Sequence, residues 1–384
     1  MGAPGARGNW GGVELHNMSE TAVLCADGVP VANDESYSSI RRDNPLTQAD
    51  WDSRVFKHLN ASIFHSAGWA AVVADTYGFK PCYFTGTRGK ELVSLLPVME
   101  VSSWLTGRRG VSLPFTDYCE PIAESEAALQ TVIKEALQHG RRAGWKYLEV
   151  RGLPAAAAGF PGARPSVSFY IHQLKLFPDT EFLFSRFESS ARRAIRKAQK
   201  SGLVVEASQD EAAMRGYYAL HCVTRREHGL PPQPLAFFLN IQRHILSQNA
   251  GMIVTARREG RPVASAVYLH RGAAAMYKFG ASGAEGQELR ANNLVMWEAI
   301  QRYAREGKNV LDFGRTSISN EGLRRYKLGW GTQETKAHYH RYDLRSDSFV
   351  QVGDDAVGWH NRVFRAMPAS LSRLAGSVLY RHMA

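Results

Sequence analysis

The chain has 384 residues, of which 44% are hydrophobic, 10% aromatic and 22% charged. This composition is ordinary for a globular chain of about two domains, and it excludes wholesale disorder, collagen-like or coiled-coil architecture and a polytopic membrane protein. The 47 Lys and Arg against 36 Asp and Glu give a net charge of +11, which favours polyanionic partners such as RNA, phosphorylated substrates or anionic lipid surfaces.

The N-terminal segment is rich in Gly, Ser, Asn and Asp, and we predict that residues 1–44 form a poorly ordered extension. Its first forty residues contain no basic segment followed by an apolar one, as a signal peptide would. The four cysteines are scattered without a CxxC pair, which argues against a disulfide framework or a zinc cluster. Together these features predict a cytoplasmic protein.

Residues 45–175 predict a first α+β unit. A helix is predicted near 61–77, and clear helical periodicity at 129–140 precedes a short strand pattern at 144–152. Further strands are predicted near residues 82–85, 92–98 and 110–113. The Pro-, Gly- and Ala-rich stretch 154–163 predicts a loop.

Residues 176–345 predict a second unit with the same order of elements. A helix is predicted near 211–228, followed by three strands, and then by a helix and strand over 296–315. The three strands are predicted near residues 251–256, 263–270 and 274–280.

The two units align with each other. Gly144 aligns with Gly307, and Gly89 aligns with Gly260, at offsets of 163 and 171 residues. Two segments with nearly one spacing indicate a duplicated unit. We therefore predict an α+β (mixed α/β) fold of two tandem domains, each a mixed sheet flanked by helices.

The densest cationic stretch, residues 186–200, carries six Lys and Arg against a single acid. On a helix, Arg192, Arg196 and Lys200 share one face, and such a stripe repels itself unless an anion lies beside it. We predict phosphate or RNA contact here, with Arg193 and Arg196 as binding residues. A solvated helix face is the alternative.

A second concentration of charge follows the last predicted strand of the second unit, over residues 312–331. A glycine turn exposes Arg315, and a short cationic segment contains Lys327; ligands usually lie on such strand-end loops. Beyond it, His338 and His340 share one strand face, but without a third ligand we predict no metal site. The sequence contains no HExxH, GxSxG or P-loop motif, so any chemistry rests on positioning and electrostatics.

Several stretches resemble the Fem-type (FemAB-like) branch of the GNAT acyltransferase superfamily, which includes peptidoglycan interpeptide-bridge aminoacyltransferases. They are residues 63–84, 92–98, 110–122 (GVSLPFTDYCEPI), 192–202, 224–234 and 311–331 (LDFGRTSISNEGLRRYKLGWG). The last stretch is the most specific, because its DFGR, GL, YK and WG spacing is unusual outside this group. The resemblance covers about residues 50–345 and implies two tandem GNAT-like domains, in agreement with the repeat.

The resemblance implies an N-acyltransferase that joins an acyl or aminoacyl group to an amine of a cell-envelope precursor, related to peptidoglycan or exopolysaccharide. The donor would be acyl-CoA or aminoacyl-tRNA, with no tightly bound cofactor. The acceptor would be a phosphorylated or lipid-linked precursor, and tRNA would be a partner if it is the donor.

The resemblance also implies roles for individual residues. Lys327 stands in the family's YK motif, which places a cation near the donor and acceptor phosphates. Arg315 would face the same cleft, while Asp117 and Tyr118 would line its acceptor side. Tyr277 is a further candidate for substrate binding.

Asp312 is the candidate general base, with a structural capping role as the alternative. Two departures from the family bear on the donor. Residues 290–295 (RANNLV) lack the glycine that lets backbone N–H groups approach the CoA pyrophosphate, which argues against conventional CoA binding. The long coiled-coil arm of some bridge-forming members also has no counterpart here, which argues against tRNA.

Residues 346–384 predict a helical tail in which Pro368 starts a helix. One face of that helix carries Leu371, Leu374, Ala375, Val378 and Leu379. It either docks on the protein body or makes peripheral contact with an anionic membrane surface at the inner membrane face. Two other functions stay open: a non-catalytic GNAT-derived RNA- or phosphate-binding module, and a scaffold recruited through this helix.

Overall fold

The computed structural model describes residues 39–153, 162–352, 364–365 and 367–382. All the described residues belong to one compact unit. Residues 1–38 of the predicted extension and residues 154–161 of the predicted loop lie outside the described residues. Arg41–Asp43 form a strand, so the prediction of a poorly ordered extension is wrong for these three residues.

The bounds of the helices and strands are as follows. The helices are α1 (Trp51–Val55), α2 (Ala67–Tyr77), α3 (Glu126–Ala143), α4 (Thr180–Arg186), α5 (Ser189–Gln199), α6 (Glu211–Glu227), α7 (Leu235–His244), α8 (Ala284–Glu288), α9 (Ala291–Arg305), α10 (Glu321–Leu328) and α11 (Ala369–Leu379). The strands are β1 (Arg41–Asp43), β2 (Lys80–Pro81), β3 (Tyr83–Arg88), β4 (Glu91–Leu96), β5 (Met99–Ser103), β6 (Gly107–Ser112), β7 (Ile122–Ala123), β8 (Tyr147–Leu153), β9 (Val167–Lys175), β10 (Val204–Ser208), β11 (Gly251–Arg258), β12 (Arg261–Arg271), β13 (Ala274–Ser282), β14 (Val310–Ser317), β15 (Gln333–Asp343) and β16 (Ser348–Val350). The predicted helices and the three strands predicted in each unit are confirmed.

The ends of the helices follow from short polar caps and glycines. Helix α2 begins at Ala67 rather than near 61, because the Ser66 side chain accepts a hydrogen bond from the Trp69 N–H. Helix α3 ends at Gly144, whose φ of 71° suits glycine. At the start of α10, Asn320 Oδ1 accepts from the Leu323 N–H at 3.0 Å.

The strands of the described residues form two sheets. The large sheet has the order β10-β11-β12-β13-β14-β9-β15-β8-β6-β5-β2, with β16 beside β15, and β1-β3-β4-β7 form a separate sheet. Strand β15, from the second predicted unit, lies between β9 and β8 of the first. There Arg341 and Arg151 both pair with the buried Glu149. The predicted fold class is confirmed, and the structure adds that the two units share one sheet; their boundary near residue 175 stays a prediction.

Each unit contains the same crossover. In the first, β6 is followed by α3 and β8, and Gly110–Ser112 pair in parallel with Leu148–Val150. In the second, β13 is followed by α9 and β14, and Ala274–Met276 pair in parallel with Val310–Asp312. A helix that carries the chain back to a parallel strand is the usual connection in mixed sheets. The repeated crossover agrees with a duplicated unit.

Helices cover both faces of the sheet at β12. Val267 and Leu269 belong to the core that contains α2, α6 and α7. Ala266 and Tyr268, which alternate with them, belong to the core that contains α5 and α9. Strand residues point alternately to the two faces, so β12 connects the two cores.

Helix α11 packs on the body, but not by the face that its sequence suggests. Ser372 and Gly376 are buried, whereas Leu371, Leu374 and Val378 are exposed. Docking on the body, one of the two alternatives predicted for this helix, is therefore observed, and it occurs through Ser372 and Gly376. Among the described helices, none is long and apolar enough to cross a membrane.

Candidate active site

The parallel strands β13 and β14 separate part of the way along. They pair over three residues only, although β13 continues to Ser282 and β14 to Ser317. Just beyond the paired part lies Gly314, with a φ of 71°. A Cβ added there would lie 3.3 Å from Asp117 Oδ1. Glycine is thus needed twice, for its backbone conformation and for the close approach of the Asp117 loop.

Lys327 on α10 reaches this point of separation. Its side chain is held by the β14 backbone, because Nζ donates to the carbonyl oxygens of Gly314 at 2.8 Å and Arg315 at 3.0 Å. The residue is only 3% exposed. Burial lowers the pKa of Lys327 to about 8, against the opposing effect of Asp117 and Asp312. A lysine with such a pKa changes charge close to neutral pH, which is typical of functional sites.

A buried ion pair lies beside Lys327. Lys278 Nζ is 2.5 Å from Asp117 Oδ2, and both side chains are largely shielded from solvent. Burial acts to raise the pKa of Asp117, but Lys278 and Arg315 outweigh it, and the pKa is lowered. Burial also lowers the pKa of Lys278, although Asp117 opposes this. The pair fixes the Asp117 loop against β13.

Asp312 is held on both of its oxygens. Oδ1 accepts the Gly314 N–H at 2.6 Å, while Oδ2 accepts the Tyr118 hydroxyl at 2.7 Å and the Gln173 amide at 3.1 Å. Burial raises its pKa in spite of these bonds. The pairing of β14 with β9 is interrupted by a bulge between Asp312 and Arg315, which contains Gly314. The general-base role of Asp312 stays a prediction, and its contacts hold the Tyr118 side chain and this bulge in place.

Arg315 lies at the exposed end of the same group. Its guanidinium donates to the Tyr339 hydroxyl at 2.9 Å and lies 4.5 Å from the centre of the Phe169 ring. The Tyr339 hydroxyl in turn donates to the Asp117 carbonyl oxygen. We call Asp117, Lys278, Asp312, Arg315 and Lys327 the inner cluster.

A cavity of about 560 Å³ lies on the other side of α10. Its lining is Glu188, Ser190, Ala191, Arg193, Ala194, Lys197, Arg290, Asn293, Gly322, Arg325, Tyr326, Gly329 and Trp330. Four cations therefore face one acid. Arg290 also precedes the first turn of α9, where the helix dipole adds positive potential. We call this space the cationic cavity.

Two tyrosines lie between the cationic cavity and the inner cluster. Tyr326 lines the cavity and is close enough to Tyr277 that this neighbour, together with burial, raises its pKa. The Tyr277 carbonyl oxygen would lie 3.6 Å from a Cβ added at Gly314. Burial raises the pKa of Tyr277 to about 12, so its hydroxyl stays protonated. Tyr277 thus lies near both Tyr326 and Gly314 but does not line the cationic cavity, and its role in substrate binding stays a prediction.

The two arginines of α5 that are predicted to bind substrate have different surroundings in the structure. Arg193 lines the cationic cavity together with Lys197. Arg196 does not; its guanidinium lies 5.4 Å from the centre of the Phe184 ring. The helix buries Ala191 and Ile195 against the body, which turns the predicted stripe away from the cavity.

Some site residues are absent from the prediction. Lys278 stands between Tyr277 and Phe279 in a strand of small and apolar residues, and a lone lysine in such a strand is the signal that could have identified it. His338, considered as a metal ligand, has its Nδ1 2.8 Å from Ser168 Oγ. Within the described part of the chain, no group of three or more His, Cys, Asp or Glu is placed to hold a metal ion.

Comparison with known proteins identifies the class. Residues 185–337 match the family described as Acetyltransferase (GNAT) domain. This range contains β13, β14, α10 and every residue that lines the cationic cavity. Residues 185–337 are thus similar to a GNAT-type acetyltransferase domain. None of the curated proteins compared with the chain matches it.

Solved structures extend the likeness to most of the chain. FemX superposes with a TM-score of 0.64 at 13% identity, over 80% of this chain and 98% of FemX. The C-terminal domain (DUF2156) of an Agrobacterium fabrum protein assigned as a lysylphosphatidylglycerol synthetase superposes with a TM-score of 0.52 at 13% identity, over 86% of this chain and 97% of that one. At these identities the likeness concerns the fold, and the resemblance to Fem-type GNAT proteins is confirmed at that level.

Proposed function

We propose that the protein is an N-acyltransferase that transfers an acyl or aminoacyl group to an amine of a cell-envelope precursor, related to peptidoglycan or exopolysaccharide. The observation that carries this proposal is the position of Lys327. Its ammonium is buried at the point where β13 and β14 separate, inside a domain that matches the GNAT family. The Fem-type fold supports the choice of an envelope precursor.

The inner cluster fits the chemistry of acyl transfer. When an amine attacks an ester or thioester, the carbonyl oxygen becomes an oxyanion, and a fixed cation beside it contributes about 3–4 kcal/mol. The Lys327 ammonium has three donors, and two are directed at the Gly314 and Arg315 carbonyls. The third is available to the oxyanion. The proton of the attacking amine passes to water or to the departing group, while the bond to that group breaks.

The cationic cavity fits the donor. Both acyl-CoA and aminoacyl-tRNA carry phosphates that Arg193, Lys197, Arg290 and Arg325 can bind. Holding donor and acceptor together contributes about 7–11 kcal/mol more. Because α9 is preceded by Arg290 rather than glycine, a phosphate at this helix start meets a side chain instead of bare backbone.

The remaining parts of the proposal concern partners and location. The acceptor is a phosphorylated or lipid-linked precursor, reached from the cytoplasm with peripheral contact at the inner membrane face. Asp117 and Tyr118, on the loop that meets Gly314, are assigned to the acceptor side. No tightly bound cofactor takes part, and tRNA is a partner only if it supplies the acyl group.

A transfer assay tests the proposal. The purified full chain is incubated with labelled aminoacyl-tRNA and, separately, with labelled acyl-CoA, with a lipid-linked peptidoglycan precursor or a soluble amino sugar as acceptor. We expect label on an acceptor from one donor, and its loss in Lys327→Met with an unchanged circular dichroism spectrum. No transfer from either donor, over varied acceptors, contradicts the proposal.

The net positive charge of the cationic cavity also favours a second candidate, a non-catalytic RNA- or phosphate-binding module. In that case Arg193→Ala weakens RNA binding while Lys327→Met leaves it intact, and neither donor is consumed. Binding that does not change with salt concentration argues against this candidate.

A further inference from the structure

Helix α11 is fixed to the body by its small residues. Gly376 lies so close to the Pro232 carbonyl oxygen that an added Cβ would overlap it. One turn further on, the buried Tyr380 hydroxyl accepts from Arg225 at 2.7 Å. The helix is thus a packed element of the fold with one defined inward face.

The outward face of α11 is apolar. Leu371, Leu374 and Val378 are 53%, 62% and 53% exposed, and on a helix they lie opposite Ser372 and Gly376. A helix at a protein surface normally turns its apolar stripe inward. The reversed orientation of α11 therefore leaves an apolar stripe for something outside the described chain.

The hairpin between β5 and β6 carries two further exposed apolar residues beside the C-terminal end of α11. Trp104 and Leu105 at its tip are 86% and 57% exposed, whereas the other described tryptophans are buried. Trp104 packs edge-on against His382, just beyond α11, with ring centres 5.6 Å apart. Ser103 Oγ also lies 2.8 Å from His382 Nδ1. We call Trp104, Leu105, Leu371, Leu374 and Val378 the apolar patch.

The exposed charges on the segments that carry the apolar patch are positive. Arg108 on the hairpin and Arg365, Arg373 and Arg381 around α11 are exposed, and neither residues 101–112 nor residues 364–382 contain an acid. The other arginine of the hairpin, Arg109, is buried and donates to the His382 carbonyl oxygen.

Beside α11, a groove of about 460 Å³ is lined by Arg215, Arg226 and Arg373 without an acid in its lining, and Arg215 pairs with Glu211 at 2.7 Å. An apolar surface with a tryptophan and surrounding arginines is complementary to the interface of an anionic bilayer, where indole rings lie at headgroup level and arginines meet phosphates.

We propose that the apolar patch is the surface by which the protein lies on an anionic lipid bilayer. This inference deepens the proposed function, since it supplies the peripheral contact that a lipid-linked acceptor requires. Only the biological purpose of membrane binding rests on the proposed function; the binding itself does not. The leucines and Trp104 insert into the headgroup region, while Arg373 and Arg381 pair with lipid phosphates. A flat bilayer suits a convex helix face, whereas a protein partner would need a matching groove.

Vesicle sedimentation tests the proposal. The full chain is mixed with vesicles of phosphatidylglycerol and phosphatidylcholine, or of phosphatidylcholine alone. We expect binding to the anionic vesicles only, and at least a roughly tenfold lower partition coefficient in Leu374→Glu/Val378→Glu. Leu59→Glu/Val204→Glu, which places the same charges at two other exposed apolar residues, is the matched control and should bind like the native protein.

Tryptophan fluorescence tests whether the hairpin between β5 and β6 contacts the bilayer. Tryptophan emission should shift to shorter wavelength on the anionic vesicles, and the shift should disappear in Trp104→Phe. The proposal is overturned if the native protein does not bind anionic vesicles, or if Leu374→Glu/Val378→Glu binds them as well as Leu59→Glu/Val204→Glu does. It is equally overturned if the patch holds two copies together in solution and the α11 variant only makes them monomeric.

Activity keeps this inference separate from the proposed function. The α11 variant should transfer normally to a water-soluble acceptor and lose transfer to a vesicle-bound one. If neither the native protein nor any variant transfers an acyl group, the proposed function is wrong. If vesicle binding still follows the pattern above, the proposed membrane-binding surface is supported independently.

Discussion

The two polar regions on either side of α10 are built differently. In the inner cluster every cation has a fixed partner: Lys278 pairs with Asp117, and Lys327 is held by two backbone carbonyls. In the cationic cavity, four cations share a lining that contains a single acid, Glu188. The two regions share the short helix α10, and the inner cluster also takes Asp117 from the first predicted unit.

This difference indicates that one region positions the reacting groups and the other binds a ligand. Charges that are paired and buried fix a loop and a strand in place, and they keep that arrangement without a ligand. Charges of one sign that face an open cavity repel each other until an anion arrives. We therefore assign orientation and transition-state stabilisation to the inner cluster, and recognition of donor phosphates to the cationic cavity.

The largest expected effect is on folding stability, at the inner cluster. Asp117→Asn leaves the buried Lys278 ammonium without its counter-charge, and breaking one side of such a pair costs about 3–5 kcal/mol. Urea denaturation measures the change in unfolding free energy. Asp75→Asn is the matched control, because Asp75 pairs with His244 at a half-exposed position and should cost less than about 1 kcal/mol. Equal losses in the two variants would show that the inner pair is not specially fixed.

The next effect is on the rate of transfer. Lys327→Met removes the cation at the bulge, and the loss of a fixed oxyanion donor lowers the rate by about 10²–10³. Lys308→Met is its control, since Lys308 also donates to a backbone carbonyl, that of Gly272, but outside both regions. If the transfer rate of Lys327→Met falls by less than about threefold, the lysine does not take part in the chemical step.

A smaller effect is expected at the cationic cavity. Arg193→Ala should weaken binding of an RNA hairpin ending in CCA, or of coenzyme A, by about five- to tenfold and reduce the salt dependence, because one phosphate contact is lost. Arg196→Ala, on the same helix but packed over Phe184, should change binding by less than about twofold. Fluorescence anisotropy at several salt concentrations gives both numbers. If Arg196→Ala has the larger effect, the wrong face of α5 has been assigned to the ligand.

The smallest effect is on pH dependence. The pKa of Lys327 is lowered to about 8, so its ammonium predominates below that pH and is lost as the pH rises through it. If the ammonium stabilises the oxyanion, single-turnover rates should fall by a few-fold between about pH 7.5 and 9. In Lys327→Arg the fall should vanish, because an arginine stays charged. A native rate that rises throughout this range would mean that the neutral amine is the active form.

The sequence predicts the parts of this molecule that depend on local pattern. Helical periodicity places α3, α6 and α9 within a few residues, because the signal lies inside each element. The likeness of the two helix–strand segments indicates the repeat for the same reason.

The sequence does not predict what depends on distant partners. Lys278 and Asp117 are 161 residues apart, and no local rule pairs them. The same holds for orientation: α5 presents Arg193 rather than Arg196 to the cavity, and α11 buries Gly376 instead of its leucines. Which side of a helix turns inward is decided by the shape of the surface that receives it. At α11 that surface, close to the Pro232 carbonyl, accepts only a glycine.

The division of labour across α10 is tested most directly by measuring donor affinity and single-turnover rate separately. Labelled aminoacyl-tRNA and acyl-CoA are titrated against native protein, Lys327→Met and Arg193→Ala/Arg290→Ala. We predict that Lys327→Met loses rate with an unchanged dissociation constant, and that the double arginine variant loses affinity with an unchanged rate at saturation. If both variants lose affinity, or both lose rate, the inner cluster and the cationic cavity act as one site, which contradicts the proposed division.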